Sequence, residues 1–371
     1  MKLLIQPGDG VLPLVEAINK AKKSVEIAIF RFDRGEIEKA LAAAVSRGVF
    51  VHALIAYTNR GGEKNLRKLE MRLLEAGITV ARTADDLARY HGKYMIIDRR
   101  ALWLLSFNYT YLDIEHSRSF GILTTNPAVV QEAVRLFEAD TKRQPYTAGH
   151  PAFVVSPVNS RKSLASFLKG AKKTLHIYDP EISDASMIRV LEERVKAGIE
   201  VRIIGRLSRK NPKLSAKKMP QIRLHTRTII RDGHAAFVGS QSLREVELGA
   251  RREVGIIIRD LKIVTRLGGV FDDDWKSERA AVTEIGRETE PAAKVAKKVA
   301  KLIIKELPPV APALEDAVRE VVGAASEVDL DPHDVEESVK EAVKEAVKDA
   351  LLEVVEEVVA VNGASAKNNA A

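Results

Sequence analysis

The order of hydrophobic and polar positions repeats itself along the chain. Ala21-Lys22-Lys23-Ser24-Val25-Glu26-Ile27 recurs in pattern as Ala171-Lys172-Lys173-Thr174-Leu175-His176-Ile177, and Arg47-Gly48-Val49-Phe50-Val51 recurs as Ala197-Gly198-Ile199-Glu200-Val201, both displaced by 150. In each copy an amphipathic helix leads to a short apolar strand, then to a second helix at about 35–46 or 185–196, then to a strand opened by glycine. A helical period of apolar residues between two runs of strand period is the mark of a βαβ unit. Gly48 and Gly198 follow the second helices, where a residue free to take positive φ closes a helix.

Further along the copies keep register with a different offset, since His91 matches His225 and Asp98 matches Asp232 at 134. The first copy is therefore longer by 16 residues, and the excess falls in 59–89. There the segment GGEKNLRKLEMRLLEAGITV predicts a helix after a Gly-Gly turn and then a strand. The second copy has instead the basic segment from Arg206 to Lys218, which lacks a hydrophobic period and reads as a flexible loop. Pro and Gly between Arg143 and Pro151 mark a linker, giving a first half of 1–150 and a second of 151–283.

Residues 284–371 change character. Val295, Val299, Leu302 and Ile303, surrounded by Lys294, Lys297, Lys298, Lys301 and Lys305, predict a basic amphipathic helix over 292–307 that Pro308 and Pro309 end. Asp331-Pro332 then starts a long helix with an N-cap and a proline in the first turn. Its apolar positions recur every four residues from Val335 to Val359, a spacing that drifts across the helix face too fast for a lasting coiled-coil seam. A docked helix or a short bundle fits better, and the final residues read as disordered.

Composition narrows the chemistry. No cysteine occurs, which removes disulfides, thiolate metal sites and cysteine nucleophiles. With 46% hydrophobic and 30% charged residues the chain reads as a soluble globular protein, and neither a signal-peptide core nor a bilayer-length apolar run is present. The expectation is a cytoplasmic protein, with peripheral membrane contact left open. The tail holds 11 Lys or Arg against 19 Asp or Glu, so a total of +8 leaves +16 on the body. A basic body suits an anionic partner, whether nucleic acid, anionic lipid or a phosphorylated small molecule.

The candidate chemistry lies in a duplicated motif. His91-Gly92-Lys93 with Asp98 has the spacing HxKxxxxD, and His225-Thr226-Arg227 with Asp232 repeats it with Arg for Lys. Ser106 and Ser240 follow each Asp by eight residues. Met95, Ile96 and Ile97, like Thr228, Ile229 and Ile230, are strand-like, so alternation puts each His and its cation on one face. Neutral imidazole is a strong nucleophile at neutral pH, and a second imidazole titrates in the right range to protonate a leaving oxygen. Lys93 and Arg227 can neutralise the charge that a phosphodiester gathers during attack. Ser106, Asn108, Ser240 and Gln241 are candidate donors to phosphate oxygens.

The duplicated HxKxxxxD followed by a Gly-Ser-x-Asn-like turn resembles the phospholipase D superfamily over about residues 10–280. That resemblance implies two similar α/β/α sandwich halves related by a pseudo-two-fold axis, here followed by an α-helical C-terminal tail. It implies catalysis by His91, Lys93, Asp98, His225, Arg227 and Asp232 with no metal and no cofactor, through a phosphohistidine. Ser156-Pro157 with Asn159-Ser160-Arg161 looks nearest to cardiolipin synthase-like members. The sequence also departs from the family. The first turn, Leu105-Ser106-Phe107-Asn108, lacks the Gly, and the second, Gly239-Ser240-Gln241-Ser242, lacks the Asn. Glu253 stands where family members carry a carboxylate that orients a His, and is expected to serve His225. Its counterpart is Ser119, so His91 lacks an orienter unless Glu115 replaces it.

Three functions stay open on the sequence. A phosphodiesterase or phosphatidyltransferase acting on a phospholipid or other phosphodiester leads; a nuclease of the same fold follows, and a noncatalytic phosphate-binding scaffold is third. Self-association through the helical tail is open as well.

Overall fold

The computed structural model describes residues 1–57, 63–208, 213–219 and 222–277, and the tail expectations lie outside them. The first half runs β1 (Lys2–Gln6), α1 (Leu12–Lys20), β2 (Ser24–Ile29), α2 (Gly35–Ser46), β3 (Phe50–Ile55), α3 (Glu63–Glu75) and β4 (Thr79–Arg82). It continues with β5 (Arg89–Tyr90), β6 (Tyr94–Ile97), β7 (Ala101–Leu105), α4 (Tyr111–Glu115), β8 (Ser117–Thr124) and α5 (Pro127–Thr141). The second half begins β9 (Phe153–Val155), α6 (Ser160–Lys169), β10 (Thr174–Ile182), α7 (Ala185–Lys196), β11 (Glu200–Leu207) and β12 (Ser215–Lys217). It ends with β13 (Arg223–Leu224), β14 (Arg227–Arg231), β15 (Ala235–Gly239), α8 (Glu245–Gly249), β16 (Arg251–Arg252), β17 (Val254–Ile258) and α9 (Leu261–Lys276).

Among the described residues the two main sheets have the same strand order. The first reads β1-β8-β7-β6-β2-β3-β4 and the second β9-β17-β15-β14-β10-β11-β12. In both, three parallel strands are extended by antiparallel neighbours; helices α2 and α3 join the three in the first half, and α7 joins β10 to β11 in the second. The predicted helices 35–46 and 185–196 are α2 and α7, closed by Gly48 at φ 80° and Gly198 at φ 79°. The helix and strand predicted in 59–89 are α3 and β4.

The reading of 206–218 as a flexible loop is corrected where the structure describes it. Ser215–Lys217 form β12, which pairs in parallel with β11 and takes the sheet position that β4 holds in the first half. An edge strand this short is held by its backbone bonds on one side, so no hydrophobic period is needed.

Alternation along the strands divides the apolar residues between two layers. In the first half Val25, Ile27, Met95 and Leu105 pack under α1, α2 and α3, while Ala28, Tyr94, Ile96 and Leu104 face α5. In the second half Leu175, Ile177 and Phe237 pack under α6 and α7, while Tyr178, Ile230 and Val238 face α9. Each half is thus an α/β/α sandwich. The inner layers are continuous: Phe120, Val130 and Phe137 belong to the same core as Phe153, Tyr178 and Phe271. This shared core fixes the two sheets against each other and brings the rims with both HxK segments together.

Candidate active site

His91 and Lys93 lie in the extended run that leads into β6, and His225 and Arg227 occupy the matching place at the start of β14. Each His backbone N–H is fixed by the opposite half. His91 N donates to Arg252 O at 2.7 Å, and His225 N donates to Arg118 O at 3.2 Å. These contacts belong to two short exchanged pairings, β5 with β16 and β13 with β8. Each half therefore lends the other the strand that seats its histidine.

The exchange also decides which carboxylate meets which ring. His91 Nδ1–H donates to Glu253 Oε2 at 2.8 Å. The expected partnership of Glu253 with His225 is thereby corrected: β17 follows β16, and β16 is the strand lent to the first half. Glu115 does not replace it either, since it pairs with Arg34 at 3.3 Å. His225 has a different neighbour, Asp113 of α4, whose Oδ2 lies 3.5 Å from Nε2. His225 Nδ1 and Ser119 Oγ are both buried without a partner. His225 Nδ1 thus lacks the carboxylate that His91 has, since Ser119 stands in the first half where the second has Glu253.

The cations are held by backbone carbonyls. Lys93, fully buried, donates from Nζ to His91 O at 2.5 Å and lies 5.2 Å from the Phe30 ring centroid. Phe30 also meets the His91 ring edge-on at 4.6 Å. Arg227 donates from Nη1 to His225 O at 2.7 Å. Burial lowers the pKa of His91 well below the ordinary value, and Lys93 and Arg227 lower it further. Burial does the same to His225, with Asp113 opposing, so the empty site favours the neutral form of both rings. Burial lowers Lys93 as well, against the pull of Glu253. Burial opposes the charge on Asp113, but His225 when protonated, Arg223 and the Asn108 N–H overcome it and hold the carboxyl well below the usual range.

The remaining sequence candidates divide. Asp98 and Asp232 are not brought to the site, although the motif counts them as catalytic. Asp98 lies at the far end of β6 and accepts from the backbone N–H groups of Lys22, Lys23 and Ser24 at 2.6–3.0 Å. Asp232 does the same for Lys172, Lys173 and Thr174 at 2.7–3.1 Å. Each ties a helix–strand turn to the next strand.

Ser106 and Ser240 are spent on backbone: Ser106 Oγ accepts from Phe120 N at 2.9 Å, and Ser240 Oγ accepts from Val254 N at 3.1 Å. Gln241 turns into the core instead of the pocket, donating to Val154 O at 3.0 Å. Ser242, the next residue, turns its side chain to Arg227 instead and matches Asn108. Asn108 donates from both N and Nδ2 to Asp113, at 2.9 and 2.6 Å. Ser242 N donates to Glu247 at 2.7 Å. Asp113, Glu247 and Ser242 were missed, yet a signal existed: an acid follows Asn108 and Ser242 by five residues in both copies. Among the described residues no His, Asp and Glu side chains converge as a metal-binding group.

A family model described as the PLD-like domain of cardiolipin synthase matches residues 14–141 and 164–275. The chain belongs to the phospholipase D superfamily. A mitochondrial cardiolipin hydrolase of Danio rerio is 29% identical over 130 residues, covering 34% of this chain and 56% of its own. A dog protein of the same name is 29% identical over 131 residues, covering 35% of this chain and 48% of its own. The chain thus spans about half the length of these relatives. Among solved structures, polyphosphate kinase from Porphyromonas gingivalis superposes with a TM-score of 0.62 at 18% identity, covering 74% of this chain and 50% of that one. Phosphatidylserine synthase from Haemophilus influenzae gives 0.59 at 11% identity, covering 81% and 93%. At such identities the likeness is one of fold. No helix among the described residues is long and apolar enough to cross a membrane.

Proposed function

We propose that the chain is a phosphodiesterase or phosphatidyltransferase of the phospholipase D type, acting on phospholipid through a phosphohistidine at His91, with no metal taking part. The observation that carries this reading is the buried bond from His91 Nδ1–H to Glu253 Oε2, 2.8 Å long. A carboxylate on Nδ1 selects the tautomer whose Nε2 lone pair is free, and it stabilises the positive charge that attack creates.

In the first step His91 Nε2 attacks phosphorus, a P–N bond forms and the bond to the leaving oxygen breaks. His225, protonated once the anionic substrate is bound, gives its Nε2 proton to that oxygen and is left neutral. Asp113, beside His225 Nε2, favours the proton being there. Lys93 and Arg227 take up the charge on the nonbridging oxygens. In the second step His225 removes a proton from water or an alcohol, whose oxygen attacks phosphorus and releases His91. Water gives hydrolysis; an alcohol gives transfer.

Support for phospholipid comes from the cardiolipin synthase family model and from the relatives named cardiolipin hydrolase. The test is one panel in EDTA: bis-p-nitrophenyl phosphate, cardiolipin and phosphatidylglycerol liposomes, and plasmid DNA, with acid-free quench and peptide mapping. The expected result is turnover of the lipids in chelator, with acid-labile phosphate on the peptide containing His91. Turnover restored only by a divalent metal, or turnover with neither His labelled, would overturn the mechanism. Cleavage of DNA alone would make it a nuclease, and binding without turnover a scaffold.

A further inference from the structure

The two halves differ at three positions around their cations. Lys93 is matched by Arg227, and Asn108 by Ser242, at the offset of 134; Ile29 on β2 is matched by Asp179 on β10 at the offset of 150. In the second half the first two are joined by a hydrogen bond, and the third holds the backbone beside them. Arg227 repeats the bond of Lys93 through Nη1 to His225 O and adds one that Lys lacks, from Nε–H to Ser242 Oγ at 3.1 Å. Burial pushes the Asp179 carboxyl up to about 7, and Leu243 N–H, Arg227 and the Ser242 side chain favour its charged form.

Asp179 is anchored firmly. It is 2% exposed, accepts from Leu243 N at 2.8 Å through Oδ2 and accepts from Glu181 N at 3.0 Å through Oδ1. Ser242 is fixed independently by its own N–H to Glu247. A serine at 242 supplies an acceptor for Nε–H, whereas the amide of the asparagine at the matching place in the first half is committed to the following acid. With Nε and Nη1 both engaged, the plane of the guanidinium is set, and Nη2 is the donor left for a phosphate oxygen. Lys93 needs no such frame, because an ammonium is a point charge on a flexible stem.

We propose that Ser242, by its bond to Arg227, and Asp179, by holding the adjacent Leu243 N–H, are positioning residues that orient the Arg227 guanidinium toward the phosphate site, so that the three departures from the first half act together. This rests on the reading of the site as a phosphodiester site, and it assigns a reason to the arginine in the second motif.

A double-mutant cycle tests it in the full chain. Asp179→Asn and Ser242→Ala are each made in the wild type and in Arg227→Lys, with kcat and KM on bis-p-nitrophenyl phosphate, inorganic phosphate affinity by calorimetry, and thermal unfolding measured for all. In the wild type each single change is expected to lower kcat and phosphate affinity about tenfold, the scale of a lost supporting hydrogen bond. In the Arg227→Lys background the same change is expected to cost less than twofold, while its effect on unfolding is the same in both backgrounds. Equal losses in kcat and phosphate affinity with and without Arg227 would overturn the proposal. Ser242→Ala keeps the backbone bonds of Asp179 and serves if Asp179→Asn does not fold. Phosphate coupling without turnover would leave the positioning standing and sink the diesterase reading; turnover with additive losses would do the reverse.

Discussion

At the foot of the first sheet Asp98 accepts three backbone N–H groups, and at the foot of the second Asp232 repeats each of these bonds to within 0.1 Å. At the rim the halves part company. Glu253 stands against Ser119, Arg227 with Ser242 and Asp179 against Lys93 with Asn108 and Ile29, and only one of the two imidazoles has a carboxylate on Nδ1. The foot serves the backbone, whose needs are the same in both copies. In the proposed reaction the rim serves a single attack across a pseudo-two-fold axis, and one nucleophile suffices for it. Duplication supplied two equivalent histidines, and the surroundings made them unequal.

The largest effect is expected from erasing or equalising that inequality. Glu253→Gln should lower kcat about 100-fold on bis-p-nitrophenyl phosphate and reduce the trapped label on His91, in line with the loss of a carboxylate that orients an imidazole. Ser119→Glu, which puts a carboxylate at the matching place in the first half, should cost less than tenfold and move the alkaline limb of the pH–rate profile upward. The new charge would favour protonated His225. If Glu253→Gln keeps full activity while Ser119→Glu abolishes it, the roles of the two histidines are reversed.

A smaller effect comes from protons. Burial lowers His91, Lys93 and His225 in the free site, and a bound anion raises all three again. Anion binding should therefore take up protons and tighten as the pH falls, by up to about tenfold per unit for each group that titrates with binding. Sulfate is the suitable probe because it does not titrate in this range. Calorimetry in two buffers of unlike ionisation enthalpy gives the proton count, and a count of zero would contradict the lowered values.

The smallest effect on catalysis belongs to the foot. Asp98→Asn should leave kcat unchanged in the folded protein but cost stability of about 1.5–3 kcal/mol, the scale of bonds to a charged acceptor. The folded-state pKa of Asp98 lies below its ordinary 3.8, because the bonds from Ser24, Lys23 and Lys22 outweigh the cost of burial. The stabilisation is thus complete above pH 3.8 and is lost as the pH falls below it, so the gap to Asp98→Asn should close in acid. Urea unfolding at several pH values measures this.

Much of the fold could be read along the chain, because the offsets of 150 and 134 carry one half onto the other and the helical and strand periods are strong. What escaped had weak local signals or none. β12 is an edge strand without alternation, and Gln241 follows the end of β15, where the side facing the pocket depends on a turn and not on strand period. The His and cation pairs were visible as motifs, but the partner of His91 was not. Glu253 is 162 residues away and reaches His91 only because β16 crosses to β5. Asp113 and Glu247 were legible in register, once the turn after β7 is laid on the turn after β15.

The strands lent between the halves have a consequence for synthesis. Chains emerge from the ribosome N-terminus first, and His91 waits through 162 further residues before Glu253 is made. Until β16 has settled on β5, the first half carries a histidine whose N–H lacks its carbonyl and whose ring lacks its carboxylate. On the proposed mechanism a nascent or truncated chain is therefore chemically silent, and its nucleophile is switched on by completion of the second half.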